Sequence, residues 1–325
     1  MSVISPNLAS SSRLSHYPVT FFAISMGMMG LTLALRAAER AFGLAHGISQ
    51  GALVLSVALL LAVTAGYLAK ALRYPAEVAA EWHHPVRIAF FPAISISLLL
   101  LATALLDIAP TLAAPLWLFA TLLQGGLALA VISAWIGHRS FQTGMMTPAW
   151  FIPAVGNVIV PLAGARLGYI ELSWLFFSGG LIFWIVLLTM VMNRLMFHDP
   201  LPGKMVPTLT ILVAPPAVAF TAWMGLAGAP GFFGQFLLNA AYVFALIVVT
   251  QAAKLRKLPF TLSWWALSFP LAALAIASFG YAGAAGSEVH KWIGAGLLAL
   301  LIAVVAALIL RTATAMRAGA ICVPD

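Results

Sequence analysis

Eight Asp/Glu, seven His and one Cys are the acids, imidazoles and thiol that this 325-residue chain can bring to chemistry, and their spacing points away from catalysis. His83 and His84 are adjacent, so they cannot share one helix face; beside Trp82 and Pro85 they read as an interfacial anchor more readily than as metal ligands. His198-Asp199 stands before Pro200, as an ordinary turn does. The lone thiol, Cys322, rules out an intramolecular disulfide, a thiolate cluster and a CxxC redox pair. No paired carboxylates and no HExxH, GxSxG, Walker or GxGxxG pattern occurs in a supporting context. Glu39, Asp107, Glu171 and Glu288 fall at the ends of apolar runs, and Glu77, Glu81 and Asp199 fall between runs. Buried ionisable residues mark proton relays and coupling sites in membranes, so this placement weakens a proton-coupled pump and removes most hydrolases. The chain reads as a non-enzyme without cofactor or metal. One polar residue stands out: Asn157, between Pro153 and Pro161. It could face a permeating ion, or it could satisfy a carbonyl freed by a bend.

The elements that must position these residues are apolar. The chain is 63% hydrophobic and 7% charged, against about 45–50% and about 25% in soluble domains, so its solvent is a bilayer. A spanning helix needs about 20 mainly apolar residues. Ten such runs are expected, at 17–37, 49–70, 86–107, 112–136, 148–166, 170–193, 206–227, 232–253, 261–284 and 289–311. They make an all-α polytopic membrane domain over 17–311, with a flexible tail at 1–16 and a second tail at 312–325. Twelve of the sixteen Lys/Arg fall on the side of the termini, and Arg36, Arg40, Arg166 and Lys291 on the other. By the positive-inside rule both termini are cytoplasmic, in the plasma (inner) membrane. The basic residues stand singly or in pairs between apolar runs, which argues against a nucleic-acid partner.

Prolines add a repeat. Pro92, Pro153, Pro215-Pro216 and Pro270 fall in the third, fifth, seventh and ninth runs, and apart from Pro115 the even runs have none in their interiors. The first run has Ser25, Gly27 and Gly30 at the corresponding depth. Small residues recur at helical spacing on odd runs, for example Ala23, Gly27, Gly30 and Ala34, whereas even runs are bulkier. Small side chains allow close backbone approach or leave open space. Five hairpins, each with one bent inner helix, close most simply into a ring around a central pathway; the blander reading is helix packing alone. A lumen of small and apolar groups binds ions weakly and suits a channel better than a high-affinity carrier. Helix N-termini and the basic cytoplasmic side favour anions.

Residues 148–164, from Pro148-Ala-Trp-Phe-Ile-Pro to Pro161-Leu-Ala-Gly164, closely resemble the fifth-helix signature of the tellurite-resistance/dicarboxylate transporter family, which includes the plant slow anion channels. His84-Pro85-Val86-Arg87, Phe90-Phe91-Pro92 and Ser263-Trp-Trp-Ala-Leu-Ser-Phe-Pro270 agree. The resemblance covers nearly the whole chain and implies five hairpins in quasi-fivefold arrangement, an inner pore of kinked odd helices, a homotrimer, and an aromatic gate. Phe22-Ala23-Ile24-Ser25-Met26-Gly27 departs from the family's Phe-Gly-Ile-Pro-Leu-Gly by alanine and serine. On the ninth run Phe269 stands among Ala266, Ala273, Ala277 and Gly280. By itself it could be a packing residue, but the resemblance places the family's gating phenylalanine at this Phe-Pro step. The expected pore lining is Ala23, Gly27, Pro92, Pro153, Asn157, Pro216, Ala266, Pro270 and Ala273, with Phe269 as gate. The implied activity is a gated anion channel for chloride, nitrate or malate-like anions. The alternative is a secondary transporter of C4-dicarboxylates or tellurite-related anions, and a membrane scaffold would need a recognition domain that is not evident.

Overall fold

The computed structural model describes residues 12–137 and 141–323; the expected tail at 1–16 lies outside the described residues as far as residue 11. The chain is an all-α polytopic membrane protein. Its helices are α1 (Phe22–Phe42), α2 (Gly47–Arg73), α3 (Pro75–His83), α4 (Pro92–Leu105), α5 (Pro110–Ile136), α6 (Phe151–Gly164), α7 (Ile170–Phe197), α8 (Ala214–Ala227), α9 (Gly231–Thr250), α10 (Ala252–Leu255), α11 (Ser268–Ala285) and α12 (Glu288–Arg317). Among the described residues nine helical spans are long and apolar enough to cross a bilayer, and Pro148–Gly164 is a shorter apolar tenth. The stretch between the second and third expected runs contains α3, opened by Pro75 at its first position, where a missing N–H is harmless. The last helix continues past residue 311 to Arg317.

Two layers follow from burial. The spans carrying α1, α4, α8 and α11 are between 61% and 72% buried over their apolar windows, and α6 is buried at nearly every position, whereas α2, α5, α7, α9 and α12 are between 22% and 33% buried. The apolar side chains of the second set, such as Leu55, Leu122, Ile182, Leu246 and Leu310, are exposed, as lipid-facing residues are. The five inner helices pack in sequence, α1 on α4, α4 on α6, α6 on α8, α8 on α11, and α11 back on α1.

The closing contact between α1 and α11 depends on two glycines. A Cβ at Gly27 would stand 2.1 Å from Ser268 Oγ, and one at Gly30 would stand 2.9 Å from Ala272 Cβ and 3.3 Å from Phe269 Cδ2. The glycines expected to let the first inner helix bend are therefore surfaces for close approach, and α1 runs unbroken from Phe22 to Phe42.

The prolines also take a different part. Each inner α-helix is entered from a 3-10 segment: Val19–Phe21, Arg87–Phe90, Pro148–Trp150, Gly203–Val213 and Leu262–Leu267. Pro92, Pro153, Pro215, Pro216 and Pro270 all lie within the first three positions of the α-helix that follows. The first N–H groups of a helix have no intrahelical partner, so proline there starts a helix where mid-helix it would break one. At these five prolines what the sequence presents as kinks are junctions between two helix types, whereas Pro161 lies inside α6. The 14-residue α4, α6 and α8 rise only about 21 Å at about 1.5 Å per residue, short of the roughly 30 Å hydrocarbon core. The 3-10 segments complete the passage. Those of the seventh and ninth spans are joined by Thr210 Oγ1, which donates to the Ala266 carbonyl at 2.8 Å.

On the face where the two ends of the described chain meet, here the terminal face, a buried ion pair ties α2 to α3. Lys70 Nζ lies 3.0 Å from Glu81 Oε2, both side chains 2% exposed. Tyr67 Oη donates to Glu81 at 3.0 Å, the Val19 N–H donates at 3.2 Å, and Lys70 also donates to the Tyr17 carbonyl at 2.9 Å.

Candidate functional site

The centre of the inner ring holds two small apolar cavities. The one toward the terminal face, about 40 Å³, is lined by Ala23, Met26, Phe90, Ile152, Val155, Ile211, Ala214, Trp265, Ala266, Phe269 and Pro270. The one toward the far face, about 20 Å³, is lined by Gly30, Leu33, Leu100, Leu162, Val218, Thr221, Phe269, Ala273 and Ile276. All five inner spans contribute to each, and Phe269 is the residue common to both. The residue is 8% exposed and stands between them on the second position of α11. A water needs roughly 10–15 Å³ of such space, so neither cavity admits an anion with its hydration shell.

Each small cavity adjoins a wider one. Toward the terminal face, Ala23, Phe90 and Ala266 are shared with a cavity of about 400 Å³ bearing Arg87, Lys204 and His84. His84 Nδ1 accepts the Val86 and Arg87 N–H groups at 3.1 and 3.2 Å, which fixes its ring in the turn that starts the third span. Toward the far face, Leu33, Leu162, Thr221 and Ile276 are shared with a cavity of about 240 Å³ bearing Arg36, Arg40, Arg166 and Asp107. Asp107 Oδ1 lies 2.6 Å from Arg166 Nη2, and Oδ2 pairs with Arg40 and lies 3.7 Å from Arg36 Nη1. Burial pushes the Asp107 carboxyl up, but the Arg166 hydrogen bond and the charges of Arg40, Arg166 and Arg36 outweigh it and hold the group below the usual carboxylate range. Both wide cavities thus carry an excess of fixed positive charge. No group of His, Cys, Asp and Glu among the described residues is arranged to hold a metal ion.

Every inner span thus lines the two small apolar cavities, and basic residues border the wider cavities on both sides; sequence comparison gives the chain a family. A profile of the family described as SLAC1, voltage-dependent anion channel, matches residues 16–313. The chain belongs to this family. It is 29% identical over 320 residues to the S-type anion channel SLAH3 of Arabidopsis thaliana, covering 95% of this chain and 50% of the relative. It is 30% identical over 275 residues to SLAH2 of the same plant, covering 82% and 53%. The tellurite resistance protein TehA homolog of Haemophilus influenzae is 28% identical over 261 residues, 79% of each chain. The chain spans about half the length of the plant relatives it matches.

Of the residues expected to line a pore in this voltage-dependent anion channel family member, Ala23, Ala266, Phe269, Pro270 and Ala273 meet at the two central cavities. The others lie elsewhere. Gly27 is covered by Ser268 and Trp265. Pro92, Pro153 and Pro216 are buried at helix starts. Asn157 Oδ1 accepts from Gln124 Nε2 at 3.0 Å; the same nitrogen donates to the Pro153 carbonyl at 3.0 Å, and Ser95 Oγ donates to Gln124 Oε1 at 2.7 Å. This clamp joins α4, α5 and α6; in it the Pro153 carbonyl is met by Gln124, and Asn157 accepts from the same nitrogen. Sequence reasoning missed Met26, Ile152, Ile211 and Trp265. Phe90 carried a signal in the Phe90-Phe91-Pro92 motif. Arg36, Glu39, Lys70, Glu81 and Arg194 are buried, a set of interior charges that the short apolar spans concealed.

Proposed function

We propose that this chain forms an anion channel of the plasma (inner) membrane, with both termini cytoplasmic, in which Phe269 closes a pore running between the five inner helices. The observation that carries the reading is the Phe269 ring standing between two cavities to which all five inner spans contribute. An apolar constriction of this size makes an ion shed its hydration shell, so closure needs no charged latch. Arg87 and Lys204 at one mouth, and Arg36, Arg40 and Arg166 at the other, concentrate anions on both sides of the constriction. The relatives named as anion channels support the same reading. Homotrimeric assembly, implied by the family resemblance, belongs to it as well. Chloride and nitrate are the expected permeants. The narrow waist lacks fixed charge, so nitrate, which dehydrates more easily, passes at least as well as chloride.

Reconstitution in liposomes tests this. Phe269→Ala is expected to raise basal anion flux substantially, with the reversal potential following the anion gradient. A folded variant that conducts no more than the parent would place closure elsewhere. Flux strictly coupled to protons or sodium would replace the channel by a secondary transporter of dicarboxylate or tellurite-related anions.

A further inference from the structure

The far-face cavity holds an arrangement that attraction of anions in general does not account for. Arg36, on α1, is 4% exposed. Its Nη1 donates to the Ala104 carbonyl near the end of α4, and its Nη2 has no hydrogen-bond partner. The neighbouring carboxylate does not supply one: Asp107 accepts from Arg166 on one oxygen and from Arg40 on the other, and its approach to Arg36 is to Nη1, at 3.7 Å. Glu39, the next acid along α1, is turned away and accepts from the Ser49 N–H at 2.9 Å and faces His46 at 3.2 Å. Glu288 is paired with Lys291 in the adjoining cavity. Three guanidinium groups and one carboxylate therefore share a cavity of about 240 Å³ whose other walls are Leu33, Ala37, Thr103, Leu162, Thr221, Gly225 and Ile276.

A buried donor left without an acceptor is unfavourable, and a guanidinium presents its donors as a planar fork that matches two oxygens of a planar anion. We propose that this cavity is a binding site for a planar oxyanion, a carboxylate or nitrate. Arg40 and Arg166 flank it, a turn of the Arg36 guanidinium brings the unpartnered Nη2 to it, and Asp107 holds Arg40 and Arg166 in place while limiting affinity by competing for them. The site adjoins the small cavity beside Phe269 across shared walls, so a bound anion stands next to the constriction. The inference rests on reading the chain as an anion pathway, but its test reads binding without flux, so it stands or falls separately from the gate.

Arg40 and Arg166 have side chains 51% and 50% exposed and can be titrated with an arginine reagent. The purified full chain is treated with p-hydroxyphenylglyoxal in sodium nitrate, acetate or chloride at equal concentrations, hence equal ionic strength, and modification is read residue by residue by peptide mass spectrometry. Arg73, exposed at the opposite end of α2, reports general screening. Nitrate and acetate are expected to slow modification of Arg40 and Arg166 saturably and to leave Arg73 unchanged, with chloride needing about tenfold more, as loss of a bidentate charge-assisted contact implies. Asp107→Asn is expected to lower the half-protecting concentration and Arg36→Gln to raise it about tenfold. Absence of protection, equal protection at Arg73, or no change in Asp107→Asn would overturn the site. Equal potency of chloride would remove the planar-anion specificity. The wild-type protection and Asp107→Asn arms remain decisive if Arg36→Gln does not fold.

Discussion

Replacing Glu81 by glutamine isolates the value of the buried Lys70–Glu81 pair. Glutamine keeps an acceptor oxygen for the Val19 N–H and can donate its amide N–H to the Tyr67 hydroxyl oxygen, but it leaves the Lys70 ammonium, 2% exposed, with the Tyr17 carbonyl and the Tyr67 ring face at 5.8 Å. Breaking a buried pair in this way costs about 3–5 kcal/mol. Removing the other partner is milder. In Lys70→Met the Glu81 carboxylate keeps the Tyr67 and Val19 donors and has Arg87 Nη1 at 3.9 Å, so about 1–3 kcal/mol is expected. The double variant Lys70→Met/Glu81→Gln removes both charges and keeps the acceptor, and it should lie within about 2 kcal/mol of the parent because the desolvation of both ions is relieved. The assay is denaturant titration in mixed micelles followed by far-UV ellipticity, closed as a double-mutant cycle. The reasoning fails if Glu81→Gln is less damaging than Lys70→Met, or if it costs under about 1 kcal/mol, the range of exposed pairs.

Topology can be read by thiol labelling, with one adjustment. Burial pushes the Cys322 thiol up, more than the Arg13 and Lys70 charges lower it, so it should label slowly at neutral pH and faster as pH rises. In a Cys322→Ser background, Arg317→Cys in the exposed last turn of α12 should resist an impermeant maleimide in intact cells and react after lysis; labelling from outside would invert the orientation. Gly27→Ala should destabilise by about 1–3 kcal/mol through overpacking against Ser268, and Ser268→Gly should restore much of the loss; an unchanged melting profile in the single variant would contradict the close contact. The Asp107 carboxyl is held below its unfolded value, so its contribution to stability is complete above about pH 4 and is lost as pH falls through the lower folded value. The stability difference between the parent and Asp107→Asn should stay flat from pH 7 to about 5 and shrink in stronger acid.

The layering of the fold was legible because it rests on local composition. Small residues on odd runs and bulky ones on even runs are the direct imprint of inner and lipid-facing helices. Phe269, Ala266 and Ala273 were readable as one face for the same reason, since they lie at helical spacing around an α-helix start. Proline was ambiguous in principle: its missing N–H fits the first turn of a helix as well as a bend, and only the 3-10 segments ahead of Pro92 and Pro216 decide between them. The charged clusters were illegible because their partners are non-local. Arg36 stood at the end of the first expected run, and it met Asp107 only through the packing of α1 on α4. Lys70 and Glu81 meet because the chain breaks at Tyr74 and α3 folds back on α2, in a stretch whose polarity resembles a loop.

The α1–α11 contact has a consequence for biogenesis. Four hairpins can enter the bilayer and pack in the order of their synthesis, each against its predecessor, but Gly27 and Gly30 have no surface to meet until Ser268 and Ala272 arrive with the fifth hairpin. The ring is thus held open until its last member inserts, and closing it is the step with the largest loop entropy. The seam is also only a matter of chain order. Arg13 lies beside Gly319 on the terminal face, so the ends could be joined and the chain cut at another hairpin loop, which would move the late-closing joint to a different pair of inner helices and leave Phe269 where it is.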